Sequence, residues 1–571
     1  MALGGSGGRS TSLAVVWAVL ACLVIAIAIV PLVYTIDAAF YRETRVGLSD
    51  ERSLTAFLNV YFGAEYLGFL WSAIVLAVVV TALSLVAGVA MAVLVGRTDL
   101  PGKPTLELLI VMPLFLSPFT GLIAWIVLGS EKTGFVNVAL IAAAKSIGID
   151  LSPLINVWSY WGVVWVMFLF FAPFAYLFTV GSLRAMDSSL EEAARTTGAS
   201  ALRTLFRITL PMSAPAIFAS GLLIFILAAE MYTIPGIIGS TVGFTTLPWR
   251  IYQDSTVFPV HRAHAAAAGT MLLWVTLFGV WLQGRMTRVA ERYVTVTGKG
   301  FRGRPLVLGR WRWAALAFIG FYVLCADILP FGALVVSSLL KFSAPSLTVD
   351  IFTLKHYDEI YRLQGTRTAI WNTIWLAVAC GGACVAMGFL ISYIEVRRPS
   401  VQAKVLAFLG VLPVAVPGLV YGIGLLWVYL KTPLYGTAWV LLFAYIAKFL
   451  PYGIFVSRSG ILQIHPELEQ SARMVGASGI TVLTRITMPL MKATLIAIAF
   501  FVMLQSIKEL SASVLLYTER SQVLSVLTWH YMDAGNYQFA AAIGVIQTLM
   551  MIALVVITRR IFRVQLEKTI A

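Results

Sequence analysis

The sequence predicts an all-α polytopic membrane protein with about twelve transmembrane helices, arranged as two tandem six-helix repeats. Of its 571 residues, 60% are hydrophobic and 12% are charged, whereas soluble domains are typically about 45–50% apolar and about 25% charged. Apolar runs of roughly 20 residues, each long enough to cross ~30 Å of hydrocarbon, recur along the whole chain. The predicted spans are 13–34, 67–95, 106–128, 158–180, 213–236, 264–284, 313–340, 370–394, 406–430, 436–457, 490–514 and 538–558.

The positions of the basic residues predict how the chain crosses the bilayer. The net charge is +15, and Lys and Arg gather in every second loop, as in Arg97 and Lys103 and in the run from Arg285 to Arg312. By the positive-inside rule these loops face the cytoplasm, so both termini are expected there. Because membrane topology accounts for the basic residues, no nucleic-acid partner is predicted.

Identical residues at a constant separation indicate an internal repeat. The first half is predicted at 1–295 and the second at 296–571, as parallel repeats related by an axis along the membrane normal, with a pathway between them. Three pairs of identical residues stand 300 positions apart: Trp71 and Trp371, Gly88 and Gly388, Pro113 and Pro413.

A hydrophilic segment between spans is also repeated, near 186–212 and near 464–490. Its glycine suits the left-handed residue that ends a helix, and its proline is expected to break the chain before the next span. The pattern predicts a helix–turn–helix elbow on the cytoplasmic face, with small side chains that let a soluble partner approach closely. The first elbow contains Glu191, Glu192, Ala193, Ala194, Gly198, Ile208, Leu210 and Pro211, and the second contains Glu469, Gln470, Ser471, Ala472, Gly476, Ile486, Met488 and Pro489.

At these residues the chain resembles the inner-membrane permeases of binding-protein-dependent ABC importers. Their cytoplasmic loop reads Glu-Ala-Ala, three residues, Gly, nine residues, Ile, any residue, Leu-Pro. The first elbow matches every position, and the second departs at Gln470, Ser471 and Met488. Glu469 lies one residue before the missing carboxylate, and whether it substitutes for that group stays open at this point.

The resemblance implies a permease in a bacterial-type inner membrane, with two cytosolic ABC ATPase subunits on the elbows and a periplasmic solute-binding protein outside. Because the chain has no Gly-x-x-x-x-Gly-Lys-Ser/Thr phosphate loop, ATP and Mg²⁺ are assigned to the ATPase partner. The chain itself is expected to hold no cofactor, no metal and no catalytic residue.

The fused double-length form, and the stretch at 291–302, are similar to the ferric-iron type of this family. Importers of thiamine, polyamines, phosphonates and sugar phosphates share the architecture and stay open as alternatives. A secondary transporter of the major facilitator type also has six plus six helices. Its pattern does not fit the loop after the second span, and the spans show no evident chain of ionisable residues for a proton relay.

Acidic residues at span ends are the candidate substrate-pathway groups. Glu230 and Glu509 lie 19 and 20 residues after the elbow prolines, which at a rise of 1.5 Å per residue puts them roughly 28–30 Å up, near the outer mouth. With Tyr232 close by, they could receive a hard cation such as ferric iron. The alternative is an interfacial carboxylate that pairs with a neighbour such as Lys508.

Three further side chains are expected to lie at the membrane surface. His264 opens the sixth predicted span, and it is interpreted as an interfacial side chain rather than a metal ligand. Trp249 and Trp529 are assigned to the interfacial aromatic belt, where amphipathic rings sit at the headgroup level.

Overall fold

The computed structural model describes residues 7–44, 47–186, 189–290, 306–342, 349–430 and 432–562. Within these ranges, nine helices are long and apolar enough to span a membrane, and three bent helix pairs raise the number of candidate spans to twelve. The prediction of a polytopic helical membrane protein is confirmed. The nine unbroken spans are Trp17–Ala38, Ala64–Arg97, Tyr160–Ala185, Ala201–Ala229, Arg262–Arg285, Trp311–Ser338, Gln364–Arg397, Ala438–Leu462 and Tyr537–Thr558.

The remaining elements are short and lie between the spans. The predicted boundary between the halves, at residues 295 and 296, lies outside the described residues. The shorter helices are Thr55–Phe62, Phe135–Ser146, Ser189–Thr196, Leu247–Thr256, Lys355–Arg362, Pro466–Met474, Ser513–Leu516 and Leu524–Asp533. The strands are Tyr41–Thr44 and Gly47–Arg52.

The third, ninth and eleventh predicted spans are bent rather than straight. In the third and ninth, prolines Pro113 and Pro413 lie in 3₁₀ turns at the bend. Proline lacks a backbone N–H and disfavours helix in the residue before it, so each helix ends and a new one starts a few residues later. The bent pairs are Lys103–Phe115 with Pro118–Gly129 (97°), Val401–Ala415 with Gly418–Tyr429 (112°) and Gly479–Leu490 with Lys492–Ile507 (73°).

The fifth span contradicts the expectation that Pro211 breaks the chain. The helix runs unbroken over Ala201–Ala229 through a π turn at Leu205–Thr209, where the Leu210 N–H donates to the Leu205 carbonyl. The turn places Pro211 in the first turn of the next α-helical stretch. A missing N–H costs least there, so the helix tolerates the proline.

The first span of each half packs against a helix of the other half. The end of the first span, Val30–Ala38, packs on Gly418–Tyr429 of the second half, and Leu329–Ser338 packs on Pro118–Gly129 of the first half. Gly424 leaves no room for a Cβ beside the carbonyl oxygen of Pro31 in the first span. The two halves therefore interlock.

The described residues include a short antiparallel hairpin, which the all-α prediction did not contain. Its strands are Tyr41–Thr44 and Gly47–Arg52. It lies at the end of the bundle opposite the elbows and pairs with the start of the sixth span. There Glu43 accepts hydrogen bonds from His261 and His264. Burial alone would raise the pKa of Glu43, but these hydrogen bonds outweigh burial and lower the pKa to about 2. His264 is thus paired with a carboxylate and is not a simple interfacial side chain.

Candidate functional site

The first elbow is a helix, a glycine turn and a second helix. Ser189–Thr196 is followed by Gly198 at φ +85° and by a helix that begins at Ala201. The Ser200 hydroxyl caps that helix by accepting a hydrogen bond from the backbone N–H of Arg203. No atom lies within 4 Å of the position that a Cβ on Gly198 would occupy. The left-handed backbone, rather than crowding, therefore requires glycine.

The second elbow has the same geometry despite its different sequence. The helix Pro466–Met474 is followed by Gly476 at φ +88°, and Ser478 caps the next helix at the backbone N–H of Thr481. A Cβ on Gly476 would also meet open space. The glycine stops predicted from the sequence are confirmed in both copies, and in both a serine caps the helix that follows.

Most residues of the repeated pattern lie on the accessible surface of the elbows, where a partner could reach them. By the exposure of their side chains these residues form two sets, one exposed and one half-buried. The exposed residues are Ala193, Gly198, Pro211, Gln470, Ser471, Gly476, Met488 and Pro489. The half-buried residues are Glu192, Ala194, Ile208, Leu210, Ala472 and Ile486.

Glu469 is the buried exception in the second elbow, with a side chain only 4% exposed. Its Oε1 lies 3.0 Å from Nε of Arg397 and accepts a hydrogen bond from the hydroxyl of Thr487 at 3.0 Å. Its Oε2 accepts a hydrogen bond from the Tyr393 hydroxyl at 3.1 Å. Arg397 also donates to the carbonyls that precede the elbow, at Ile461 and Ile464. This network fastens the elbow to the end of Gln364–Arg397.

Glu191 occupies the equivalent place in the first elbow, where two described side chains bond it. Its Oε1 lies 3.5 Å from Nε of Arg97 and accepts a hydrogen bond from the Thr209 hydroxyl at 2.8 Å. Among the described residues, Nε and Nη2 of Arg97 are buried without a hydrogen-bond partner. Val93, at the position equivalent to Tyr393, has no hydroxyl to donate.

This correspondence settles the role of the early carboxylate in the second elbow. Glu469 matches Glu191, since both are buried and both bond an arginine and a threonine. Gln470 therefore stands where Glu192 stands, and Glu469 does not replace the missing carboxylate. Our sequence analysis overlooked the arginine partners, although Arg97 and Arg397 stand 300 residues apart like the other repeated pairs.

The exposed apolar side chains differ between the two elbows. In the first elbow, Leu202 and Phe206 face outward along the second helix. In the second elbow, Met474 and Val475 are 88% and 86% exposed at the tip itself, with Ile480 nearby at 72%. Thr196 and Thr197 hold the tip positions of the first elbow. Exposed apolar surface of this kind is typical of a protein interface.

The two predicted pathway carboxylates lie within the bundle and not at an open mouth. Glu509 is 6% exposed and forms an ion pair with Nζ of Lys448 at 2.8 Å. Glu230, from the other half, is half-buried. The alternative of a paired carboxylate holds for Glu509, but its partner is Lys448; Lys508, the neighbour suggested from the sequence, donates to the carbonyl of Leu114 at 2.8 Å.

A cluster of aromatic rings covers these charges on the face opposite the elbows. Trp529 of the second half contacts Tyr232, Trp249, Tyr252 and Phe119 of the first half, with ring centroids 5.5–6.2 Å apart. Tyr232 is only 2% exposed. Trp529 is 4% exposed between the halves, so its assignment to the interfacial aromatic belt was wrong, and Trp249 is half-buried beside it. We call these five residues the aromatic cluster.

A cavity of about 700 Å³ lies between the halves on the elbow side of the aromatic cluster. Its lining includes Met186, which adjoins the first elbow, and Met212 from the fifth span. The second half contributes Tyr452, Phe501 and Lys508. The surface is mainly apolar, and Lys508 is the one charged side chain among the described residues that line it.

Twelve candidate spans, two elbows and a cavity between two halves define a membrane-embedded transport permease. The family described as "Binding-protein-dependent transport system inner membrane component" matches residues 84–290 and again 384–570. The chain belongs to this family, with its domain present twice. It is a multi-pass inner-membrane permease component, and the secondary carrier of the major facilitator type is set aside.

Several known proteins are similar to parts or to all of the chain. It is 27% identical over 402 residues to the ferric transport system permease protein FbpB of Actinobacillus pleuropneumoniae, a match that covers 69% of this chain and 57% of that one. It is 26% identical to the probable ABC transporter permease protein y4fN of Sinorhizobium fredii, over 96% and 95% of the two chains. The first of these matches spans less than two thirds of the FbpB relative.

Two further similarities cover about one half of the chain. A putative 2-aminoethylphosphonate transport system permease protein PhnV of Salmonella paratyphi A is 26% identical over 43% of this chain and 92% of its own. A crystal structure of a bacterial alginate ABC transporter with its pentasaccharide-bound periplasmic protein aligns with 44% of this chain and 93% of its own, at 17% identity and a TM-score of 0.37.

Proposed function

We propose that this chain is the membrane domain of an ATP-driven importer that carries ferric iron from the periplasm to the cytoplasm. Two cytosolic ATPase subunits dock on the elbows, and a periplasmic binding protein docks on the opposite face. ATP and Mg²⁺ bind to the ATPase subunits, and this chain contributes no catalytic residue. Both termini and both elbows lie on the cytoplasmic side.

The pair of exposed elbows, each joined by a buried glutamate to a long span, is the observation that carries this proposal. Glu191 and Glu469 bond the last residues of Ala64–Arg97 and Gln364–Arg397, which are 34 residues each. At 1.5 Å per residue each helix is about 51 Å long and reaches the opposite face. A displacement of an elbow by its ATPase is therefore transmitted to a helix that crosses the whole bundle.

The cavity and the aromatic cluster support transport by alternating access. The cavity lies on the elbow side, while the aromatic cluster closes the other side. This is the arrangement of an inward-facing state. For solute to enter, Trp529 of the second half must separate from Tyr232 and Tyr252 of the first half, and this separation would uncover Glu230 and Glu509.

Glu230, Tyr232 and Glu509 are the residues that we assign to the substrate pathway. In the closed state Lys448 neutralises Glu509 at 2.8 Å. A hard cation entering from outside would compete with Lys448 for the carboxylates, because oxygen ligands suit such ions. The similarity to permeases named for ferric transport supports ferric iron as the solute.

Import of a phosphonate is the second candidate, and one observation favours it. Lys508 brings a positive charge to the otherwise apolar lining of the cavity in the described part of the chain. An ammonium group there would attract an anion such as 2-aminoethylphosphonate. A relative named for transport of that compound matches one half of this chain.

Reconstitution into proteoliposomes with the ATPase and the binding protein tests both candidates. We expect uptake of radiolabelled ferric iron that requires ATP, and we expect Glu509→Gln to slow this uptake. Uptake of 2-aminoethylphosphonate but not iron would replace the first candidate with the second. Uptake that continues without the ATPase and follows a proton gradient would contradict the importer proposal itself.

A further inference from the structure

Three side chains with metal-binding chemistry converge on the face opposite the elbows. Oε2 of Glu43 lies 2.9 Å from Nδ1 of His264 and 3.2 Å from Nδ1 of His261. All three ligand atoms lie within 4.8 Å of one another. Glu43 comes from the strand Tyr41–Thr44, whereas the two histidines open the sixth span. The sequence analysis predicted no metal site here.

Two of the three separations are close to those within a coordination sphere. Ligands about 2.1 Å from a metal are roughly 3.0 Å apart at an octahedral edge and roughly 3.4 Å apart at a tetrahedral one. The two oxygen-to-nitrogen separations, 2.9 and 3.2 Å, fall near this interval. Both histidines also present the same ring nitrogen toward the carboxylate. Only small side-chain movements are needed to place a cation between them.

The surroundings hold the three groups in place. The backbone N–H of His264 donates to Oε1 of Glu43 at 3.0 Å and leaves Oε2 for the histidines. The His264 ring stacks on Tyr66, whose hydroxyl donates to Asp254 at 2.8 Å. Glu43 and His264 are 17% and 20% exposed, and His261 is 45% exposed. The group is thus supported by neighbours and still reachable from water.

We propose that Glu43, His261 and His264 bind a first-row transition-metal cation on the face opposite the elbows. Two imidazoles and one carboxylate suit ions such as Fe²⁺, Co²⁺ and Zn²⁺, whereas Mg²⁺ and Ca²⁺ prefer oxygen ligands alone. The cation takes the place of the two contacts between the carboxylate and the imidazoles, and three protein ligands leave coordination positions for water. The proposal stands apart from the identity of the transported solute, because binding is measured without transport.

The bound cation would fasten the hairpin to the start of the sixth span, close to the closed side of the pathway. The helix Leu247–Thr256 connects the two regions. Its Asp254 bonds Tyr66 beside the histidines, while its Trp249 and Tyr252 belong to the aromatic cluster. The site is one helix away from the rings that must separate for solute to enter.

A Co²⁺ titration of the purified, tag-free full-length chain in detergent tests the proposal by its visible absorption bands. We expect one Co²⁺ per chain, displaced by Zn²⁺ and not by Mg²⁺. His264→Ala and Glu43→Gln should weaken binding by more than about tenfold, since even outer-shell changes cost roughly 10–100-fold. His530→Ala is the matched control, because its imidazole bonds Tyr517 elsewhere and should leave binding unchanged.

Two further measurements still test the proposal if one of these variants unfolds. His261→Asp retains a ligand and should bind Co²⁺ with altered bands, and X-ray absorption of the Zn²⁺ form should show imidazole ligands. The proposal would be overturned if folded wild-type protein shows no saturable binding, or if His264→Ala and Glu43→Gln bind Co²⁺ as tightly as wild type. The three residues would then serve only to hydrogen-bond the hairpin to the start of the sixth span. Iron uptake by the reconstituted importer is scored separately, so the two proposals fail independently.

Discussion

The first elbow keeps every residue of the family pattern, and the second lacks three of them, yet the second is fastened more firmly. Glu469 bonds Arg397, Thr487 and Tyr393, while the described side chains that bond Glu191 are an arginine and a threonine. The helices that follow also differ. The first elbow continues directly into its span, and the second bends by 73° at a break between Leu490 and Lys492.

The comparison shows that two features of the repeated segment depend on different residues: its accessible surface and its attachment to the bundle. Most pattern residues lie on the accessible surface, and the second elbow also carries an exposed apolar tip at Met474 and Val475. Attachment to the bundle depends on Glu191 and Glu469, which precede the pattern. A match to the pattern therefore describes the accessible surface of an elbow and does not describe how the elbow is attached to the bundle.

Removing the buried glutamates should lower the stability of the protein most and should show the largest difference between the two elbows. Glu469→Ala leaves Arg397 buried without its counter-ion, which should cost about 3–5 kcal/mol. Glu191→Ala should cost about 1–3 kcal/mol, because Glu191 lies 3.5 Å from Arg97, farther than the 3.0 Å between Glu469 and Arg397. Thermal unfolding of the purified chain measures both losses, and Glu467→Ala, on an exposed side chain, is the control. A larger loss for Glu191→Ala than for Glu469→Ala would contradict the ranking.

The turn glycines should respond equally, because their backbones are the same. Gly198→Ala and Gly476→Ala should each cost about 1–2 kcal/mol, the penalty of a left-handed backbone for a residue with a Cβ. Asparagine should cost less at both positions, since it tolerates this conformation better. ATP hydrolysis coupled to uptake is the readout, with Gly320→Ala, in open space on a helix, as the control. Equal effects of Ala and Asn would argue against a backbone cause.

Tyr393→Phe should make the second elbow resemble the first. The substitution removes one hydrogen bond to Glu469 and should cost about 0.5–1.5 kcal/mol. Protease cleavage within the second elbow should then approach the rate of cleavage within the first. If cleavage does not change, the extra hydroxyl does not account for the difference in attachment.

Exchanging Glu and Gln at the first position of the family pattern should have the smallest effect on stability. Glu192→Gln and Gln470→Glu change side chains that bond no described residue of the bundle, so stability should stay within about 0.5 kcal/mol. Binding of the ATPase to the solubilised chain should weaken with Glu192→Gln and strengthen with Gln470→Glu if the carboxylate contacts the partner. Unchanged binding in both variants would restrict docking to the apolar and small residues.

The sequence by itself determined the spans, the repeat and the elbows, since these follow from local properties. Apolar length decides which segments enter a bilayer, and a glycine between two capped helices decides the turn at Gly198 and Gly476. Even so, the same local rule misjudged Pro211, because a π turn inside the fifth span absorbed the proline.

The tertiary structure alone decided which charged and aromatic groups meet. Lys448 pairs with Glu509 across 61 residues, and Glu43 reaches His264 across 221. Trp529 closes against the first half instead of facing lipid. An ion pair, a ring contact or a ligand set depends on which helices pack together and how they bend, and packing partners distant in sequence leave no periodic signal in the chain. That is the physical reason why the elbows were predictable and the charges, rings and ligand set around the pathway were not.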